Sequence, residues 1–257
     1  MATIRTQLKN ALKSAYGAIF GSDASREPRE KVIRDVEVNG VHLRIKDFRT
    51  SVLTDIVAAE LRDDAYNIER IRFGPGDIAI DIGANVGMVS IYLAKRYPHL
   101  TVYAFEPIPD NYRHLTENLR LNGVLNVRTY PLAVTSDGRD FEMIVHLRSN
   151  TGGGTGYLQD MSLPDHEHYT IKSTTLDRVF ADYGIQRCRL LKIDCEGAEY
   201  EILWNTHCLA RVDYLSGEFH MNQRLAREGY SAQALLDHCQ QYVLPERLKI
   251  GITPMAE

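Results

Sequence analysis

The 257-residue sequence lacks the features that mark several classes of protein. No apolar run approaches the ~20 residues that a membrane-spanning helix needs. The formal net charge is −4, and we expect no nucleic-acid partner, because phosphate binding rests on clustered Lys and Arg. Cysteine is scarce and shows no paired metal-ligand spacing, and the N-terminus lacks a signal-peptide pattern. We therefore expect a cytoplasmic protein with reduced thiols at Cys188, Cys195, Cys208 and Cys239.

The first fifty residues read as an extension to the main domain. One helical face carries apolar residues from Ile4 to Ile19, with Arg5, Lys9 and Lys13 among the polar positions. Such a basic amphipathic helix can lie on a membrane surface, but we expect it to pack on its own domain or to form a homodimer. Residues 36–45 alternate around Asn39-Gly40, which predicts a hairpin. The predicted division is an extension over 1–50 and a catalytic domain over 51–257.

The rest of the chain alternates strand and helix, which predicts an α/β, doubly wound, mainly parallel sheet. The predicted strands are Asp77–Ile82, Thr101–Phe105, Asn126–Val134, Arg189–Ile193 and Asp213–Phe219. The predicted helices are Ser51–Ile71, Met88–Tyr97, Pro109–Asn122, Leu176–Tyr183 with an N-cap at Thr174 or Thr175, Ala198–Trp204 and Ser231–Gln241. Residues 243–252 are interpreted as a closing antiparallel hairpin.

A glycine-containing loop, Asp81-Ile-Gly83-Ala84-Asn85-Val-Gly87, follows the first of these strands. Glycine there lets the backbone turn tightly and brings a ligand close to a helix N-terminus. Asn85 stands where the dinucleotide fingerprint requires its middle glycine, which disfavours NAD or FAD. The spacing instead resembles the first motif of S-adenosylmethionine methyltransferases, in which the carboxylate faces the amino-acid end of the cofactor. A tight turn without a ligand is the plain structural alternative.

Glu106 ends the second strand, at the edge where open α/β sheets bind ligands. A carboxylate has two oxygens, so it can accept hydrogen bonds from both ribose hydroxyls of a nucleoside. We predict this role for Glu106, with Pro107 and Asn111 beside it. Ala133-Val134 is expected to line the adenosine side of the same site.

Three segments together resemble one family: Asp81–Gly87, Ala104–Asn111 and Leu191–Leu203, with the Lys-Ile-Asp-x-Glu-Gly-x-Glu pattern the most distinctive. The chain resembles the FkbM family of methyltransferases from about Ser51 to His220. The resemblance implies a class I, Rossmann-like fold with a seven-stranded sheet, preceded here by the predicted helix and hairpin extension. It also implies S-adenosyl-L-methionine as cofactor, S-adenosyl-L-homocysteine as product, and O-methylation of a hydroxyl on a small molecule, sugar or natural-product intermediate.

The acceptor side is expected near Asp194, Glu196 and His220. Asp194 ends its strand at the carboxyl edge, and Glu196 begins the turn into the next helix. His220 is the candidate general base because its reference pKa of ~6.5 suits proton removal near neutral pH. Asp194 is the alternative base or an orienting group, and it also borders the cofactor. Glu218 shares a strand face with His220.

Several weaker signals carry no firm prediction. Glu199 and Glu201 are interpreted as ordinary acidic residues at a helix start. The Thr151–Gly156 segment is read either as a loop that closes over the acceptor or as an inert hairpin tip. His166-Glu-His168 could ligate a metal, but it is interpreted as an exposed polar loop.

Metal is not predicted, because no ligand spacing is diagnostic, although Asp194, Glu196 and Glu218 could supply a carboxylate cluster. Two rival functions stay open. One is a dinucleotide-dependent oxidoreductase on the same fold, which bound nicotinamide or flavin absorbance would reveal. The other is a non-catalytic assembly protein that keeps the cofactor loop, which turnover to S-adenosylhomocysteine would exclude.

Overall fold

The structure is a computed structural model that describes residues 30–49, 51–146 and 166–254. The predicted N-terminal helix and the Thr151–Gly156 segment lie outside these residues. Within them, no helix combines the length and the apolar character that crossing a bilayer requires.

The described residues form twelve strands and seven α-helices. The strands are β1 (Lys31–Val38), β2 (Val41–Phe48), β3 (Ile78–Ile82), β4 (Thr101–Phe105), β5 (Val127–Tyr130), β6 (Ala133–Thr135), β7 (Phe141–His146), β8 (His166–Ile171), β9 (Ser173–Thr175), β10 (Cys188–Ile193), β11 (Val212–Met221) and β12 (Leu248–Pro254). The helices are α1 (Leu53–Arg62), α2 (Met88–Arg96), α3 (Pro109–Leu121), α4 (Leu176–Asp182), α5 (Glu199–Asn205), α6 (Gln223–Arg227) and α7 (Ala232–Cys239). Short 3₁₀ turns cover Ile68–Arg70, Cys208–Arg211 and Pro245–Arg247.

The central sheet has the strand order β12-β11-β10-β3-β4-β5, and all neighbouring strands run parallel. Strands such as β3 and β10 are almost continuously buried because helices cover both faces of a parallel sheet. The doubly wound, Rossmann-like class is therefore confirmed. The count of seven strands is not confirmed, since the described residues place six in this sheet.

Two details of the strand prediction are wrong. The predicted strand 126–134 is divided near Pro131, which lacks an N–H for the ladder, and β6 pairs with β9 in a separate two-stranded sheet. The closing hairpin is not antiparallel, because β12 runs parallel to β11 from Leu215 opposite Leu248 onward. The segment between these strands holds α6 and α7, which is long enough for a parallel crossover.

Other predicted elements change in length or type. The helix predicted over 51–71 stops as α1 at Arg62, and a 3₁₀ turn follows at Ile68–Arg70. Thr175 caps α4, as predicted, because its hydroxyl accepts a hydrogen bond from the N–H of Arg178. The segment His166–His168 begins β8 and is not a loop.

The predicted hairpin forms with a two-residue turn. Asn39 and Gly40 both adopt positive φ angles, 49° and 78°, which the favoured tight hairpin turn requires. The alternating apolar residues of β1 and β2 face one way and pack into the same core as α1, α2 and α3. The predicted domain division at residue 50 stays a prediction.

The strand order reverses between β3 and β10. From β3 the chain adds β4 and β5 on one side, and from β10 it adds β11 and β12 on the other. Their carboxyl ends therefore lie side by side at a topological switch point, where open α/β sheets bind ligands.

The packing of the hairpin predicts the effect of truncating Leu43, which is fully buried. Leu43→Ala should lower the free energy of unfolding by about 2–5 kcal/mol, because it removes transfer free energy and leaves a cavity in the shared core. Urea denaturation measures this change. Leu125→Ala is the matched control, because Leu125 is 95% exposed and its truncation should change stability by less than about 0.5 kcal/mol. Equal effects of the two variants would contradict a shared core.

Candidate active site

A buried ion pair joins β3 to β10 at the switch point. Asp81 and Lys192 are direct partners in the strand register, and Lys192 Nζ lies 3.1 Å from Asp81 Oδ1. Ser90 of α2 donates a hydrogen bond of 2.6 Å to the other oxygen of Asp81. Burial lowers the pKa of Lys192, but the carboxylates of Asp81 and Asp194 outweigh it and hold the pKa above its ordinary value. Lys192 is therefore charged at neutral pH.

The same lysine holds the loop after β3. Lys192 Nζ donates a hydrogen bond of 2.8 Å to the carbonyl of Gly83. Gly83 has a φ of +77°, and a Cβ there would stand 1.9 Å from the carbonyl oxygen of Asp194. Glycine is needed at this position because the two loops touch backbone to backbone, a reason beyond the room for cofactor that the sequence suggested.

Asn85 fixes the conformation of the rest of the loop. Its φ of 51° lies in the left-handed region, which asparagine tolerates better than most residues, and its side chain accepts a hydrogen bond from the N–H of Val86. The N–H of Asn85 donates to Glu106 Oε2 at 2.8 Å. Ala84 N–H donates to the carbonyl of Phe105, and Gly87 precedes α2 with a φ of 89°.

Glu106 is buried at the end of β4 and accepts hydrogen bonds from three donors. Besides Asn85, the N–H of Ile108 donates to Oε1 at 2.9 Å and the Asn111 amide at 3.4 Å. Burial raises the pKa of Glu106 to about 7, although these donors and Lys192 oppose the rise. Proton loss from Glu106 therefore falls near neutral pH.

The structure thus brings most of the predicted cofactor residues to one edge of the sheet. Pro107 follows Glu106 directly and leads into α3. Ala133 and Val134 are buried on β6, beyond the end of β5 and outside the central sheet. Their predicted place beside the adenosine stays a prediction.

The acceptor side is organised by Glu199, which the sequence analysis treated as an ordinary helix-start residue. Its fully buried carboxylate accepts hydrogen bonds from the N–H groups of Cys195 at 2.8 Å and Gly197 at 2.9 Å. Glu196, between them, has a φ of +58°. Glu199 therefore fixes the turn that leads from Asp194 into α5. The sequence signal that points to it is the Lys-Ile-Asp-x-Glu-Gly-x-Glu pattern, whose last residue is Glu199.

His220 lies among four carboxylates. Its Nδ1 is 3.1 Å from Glu199 Oε1, and its Nε2 is 3.9 Å from Asp194 Oδ1 and 3.7 Å from one oxygen each of Glu196 and Glu218. Burial lowers the pKa of His220, but the carboxylates outweigh it and raise the pKa to about 10. In this state the imidazole is protonated at neutral pH and cannot accept a proton from a hydroxyl.

Comparisons with known proteins find a family model that matches more than half of this chain. The model of the Methyltransferase FkbM domain matches residues 81–243. The 31-O-demethyl-FK506 methyltransferase FkbM of Streptomyces tacrolimicus is 32% identical, covering 55% of this chain and 64% of that protein. The AMB antimetabolite synthetase AmbE of Pseudomonas aeruginosa is 31% identical, covering 68% of this chain and 10% of that protein. The hexuronic acid methyltransferase AglP of Haloferax volcanii is 27% identical, covering 56% of each chain.

The chain spans less than two thirds of the length of each of these relatives. Among solved structures, a SAM-dependent methyltransferase from Agrobacterium tumefaciens is 10% identical and covers 91% of this chain and 55% of that chain, with a TM-score of 0.40. Likeness at this level is too weak to support a conclusion, and the fold assignment rests on the strand order.

The contact between the two loops predicts the effect of a methyl group at Gly83. Gly83→Ala should lower the free energy of unfolding by about 3 kcal/mol or more, because the strands must separate and the residue keeps an unfavourable φ. Gly184→Ala is the matched control, since its φ is +63° but its surroundings are open, and about 1–2 kcal/mol is expected. Chemical denaturation of both variants measures the difference. Equal losses would show that the close approach is not a constraint.

Proposed function

Because the chain belongs to the FkbM family of methyltransferases, whose methyl donor is S-adenosylmethionine, we propose that it methylates a hydroxyl oxygen. The acceptor we propose is a small molecule, a sugar or a natural-product intermediate. One observation carries the proposal: the loop after β3, which is bound to Glu106 through Asn85, adjoins the turn that carries Asp194 at the β3/β10 switch point. A donor held on one side then faces an acceptor held on the other. Two relatives are named as a 31-O-demethyl-FK506 methyltransferase and a hexuronic acid methyltransferase, and these names support an oxygen acceptor.

The loop residues fit a nucleoside without phosphates. Each oxygen of an ionised Glu106 has two lone pairs, and Oε2, which has the Asn85 N–H as its one donor here, can add a ribose hydroxyl. On Oε1 the second hydroxyl takes the place of the long 3.4 Å contact from the Asn111 amide, while the N–H of Ile108 stays. Lys192, the cation beneath the loop, is already paired with Asp81 and so does not offer its charge to a pyrophosphate. We propose that Asp81, Gly83, Ala84, Asn85 and Gly87 shape the cofactor site, with Pro107, Asn111 and Ala133 beside the adenosine.

When bound, S-adenosylmethionine supplies a methyl group attached to a sulfonium sulfur. On transfer, the sulfur keeps the electron pair of the broken bond to the methyl carbon and becomes a neutral thioether. The residues of this chain have to hold the acceptor in line and take the hydroxyl proton. We propose Asp194 as the group that takes the proton, since its backbone meets the loop after β3 and its carboxylate lies near His220. Glu196 orients the acceptor. His220, protonated by its neighbours, holds these carboxylates in place.

Calorimetric titration tests the cofactor assignment. S-adenosylmethionine should bind saturably to the purified chain, and NADH should give no heat. Glu106→Ala should weaken S-adenosylmethionine binding at least about tenfold, because two hydrogen bonds to a charged group are lost. Asp237→Asn, which changes an exposed carboxylate on α7, should bind as the wild type does. Absence of S-adenosylmethionine binding, or heat with NADH, would overturn the assignment.

The titration of Glu106 predicts how cofactor affinity depends on pH. A carboxylate with a pKa of about 7 is mostly protonated at pH 6 and must lose its proton to accept two hydroxyls. Affinity for S-adenosylmethionine should therefore be about tenfold weaker at pH 6 than at pH 8, from the ionised fractions at a pKa of about 7. Glu106→Gln cannot titrate and controls for proton loss from the ligand. A wild-type pH profile no steeper than that of the variant would contradict the role.

The acceptor atom is tested by transfer from methyl-labelled S-adenosylmethionine to a panel of hydroxylated sugars and polyketides. A methyl ether withstands mild alkali, whereas a methyl ester does not, and hydriodic acid releases methyl iodide from an ether but not from a methyl group on carbon. Label that is stable to alkali and released as methyl iodide therefore marks O-methylation of a hydroxyl. Asp194→Asn should lower kcat by about 10²–10⁴-fold, because it removes the proton acceptor, with the fold intact by circular dichroism. Alkali-labile label, or full activity of the variant, would refute this assignment.

A further inference from the structure

The imidazole of His220 points one nitrogen into a gap between carboxylates. The side chain is 4% exposed, and the nearest oxygens of Asp194, Glu196 and Glu218 stand 3.7–3.9 Å from Nε2. These separations are too long for hydrogen bonds. Nε2 of this buried histidine therefore makes no hydrogen bond to any of the three carboxylates that surround it.

The gap has the dimensions of a cation site. One ligand atom each from Asp194, Glu196 and His220 can be chosen so that all lie within 4.8 Å of one another. Metal–ligand distances of ~2.0–2.2 Å put neighbouring ligands roughly 3 Å apart and opposite ligands roughly 4.2 Å apart. The distances from His220 Nε2 to the two carboxylates fall between these values, so a small inward movement would complete the coordination.

We propose that Asp194, Glu196 and His220 bind a divalent metal ion, with Glu218 within reach as a further ligand. A set of carboxylate oxygens with one imidazole suits Mn²⁺ well, because carboxylates favour Mg²⁺ and Mn²⁺ whereas imidazole favours the transition metals. The site lies beside the switch point and not in the cofactor loop.

The hydrogen bonds of Glu199 prepare His220 for this role. A metal-bound histidine almost always donates its other ring N–H to a carboxylate or carbonyl, which fixes the tautomer and the ring orientation. Glu199 Oε1 lies 3.1 Å from Nδ1 and is itself held by the N–H groups of Cys195 and Gly197. When a metal ion binds, Nδ1 keeps the shared hydrogen and Nε2 gives up its proton, so that the lone pair of Nε2 faces the ion.

The chemical use of this ion rests on the proposed function. A divalent ion beside Asp194 would bind the acceptor hydroxyl oxygen and lower its pKa. The O–H bond then breaks with its proton passing to a carboxylate oxygen of the cluster, and the alkoxide electron pair forms the new bond to carbon. The substrate class named by this chemistry is a hydroxyl compound that coordinates a metal, such as a vicinal diol or a hydroxy acid.

Manganese binding tests the site independently of activity. The full chain, freed of metal by EDTA and dialysis, is titrated with MnCl₂ while electron paramagnetic resonance follows free Mn²⁺. The wild type should bind one ion per chain, and spin-echo modulation should show coupling to an imidazole nitrogen. Glu196→Gln, which keeps the shape of a partly exposed side chain, should weaken binding at least about tenfold. His220→Gln should abolish the nitrogen coupling, and Asp237→Asn should match the wild type.

Each result decides the proposal. No saturable Mn²⁺ binding up to 1 mM (roughly the weak limit of protein cation sites) would overturn it, as would equal binding by Glu196→Gln and Asp237→Asn. Nitrogen coupling that persists in His220→Gln would overturn the assignment of that ligand. Calorimetry with S-adenosylmethionine on the same samples shows that the variants are folded. It also separates failure of the metal site, with the cofactor still bound, from failure of the proposed methyl transfer.

Discussion

The ion pair between Lys192 and Asp81 is the contact on which the rest of the site depends. Burying two charges costs several kcal/mol per ion, and their attraction offsets this only when the geometry is good and further hydrogen bonds are made. Here Ser90 satisfies the second oxygen of Asp81, and the carbonyl of Gly83 takes another hydrogen of Lys192. The net contribution to stability is small on these grounds. What the pair provides is a fixed register between β3 and β10, and with it a fixed place for each loop that follows.

The two halves of the site are consequently joined through the backbone. The N–H of Asp194 donates to the carbonyl of Ile82, and the carbonyl of Asp194 occupies the space that a side chain at position 83 would need. On the other side of the loop, Glu106 accepts a hydrogen bond from the N–H of Asn85. A carboxylate suited to ribose hydroxyls and a carboxylate suited to a hydroxyl proton are thus held by adjoining turns. Their relative placement does not depend on flexible side chains.

Much of the fold was predictable because local sequence patterns determine it. Apolar runs marked the parallel strands, Asn39-Gly40 marked the hairpin, and Thr175 marked the start of α4. The direction of β12 was not predictable, because it depends on where the α6–α7 segment returns the chain to the sheet and not on its own residues. The division of the strand predicted over 126–134 has a local signal in Pro131, but the apolar residues on either side of this proline favour a continuous strand.

Within the site, the positions of Asp81, Glu106 and Asp194 at strand ends followed from the alternation of strands and helices. The protonation state of His220 did not follow from that alternation. A reference pKa near neutrality suggested a base, whereas four carboxylates from the turn after β10, from β11 and from α5 converge on the ring only in three dimensions. The same convergence places Glu199 against the ring, and it is the reason that His220 is proposed as a charged group or a metal ligand and not as the base.

The central claim is that the cofactor lies at the β3/β10 switch point with its methyl group toward the carboxylates of Asp194 and Glu196. A crystal structure of the chain with S-adenosylmethionine tests this most directly. The account predicts ribose hydroxyls within hydrogen-bond distance of both oxygens of Glu106 and a sulfonium methyl directed at the space bordered by Asp194 and Glu196. Cofactor density elsewhere, or a methyl group directed away from these carboxylates, would contradict it.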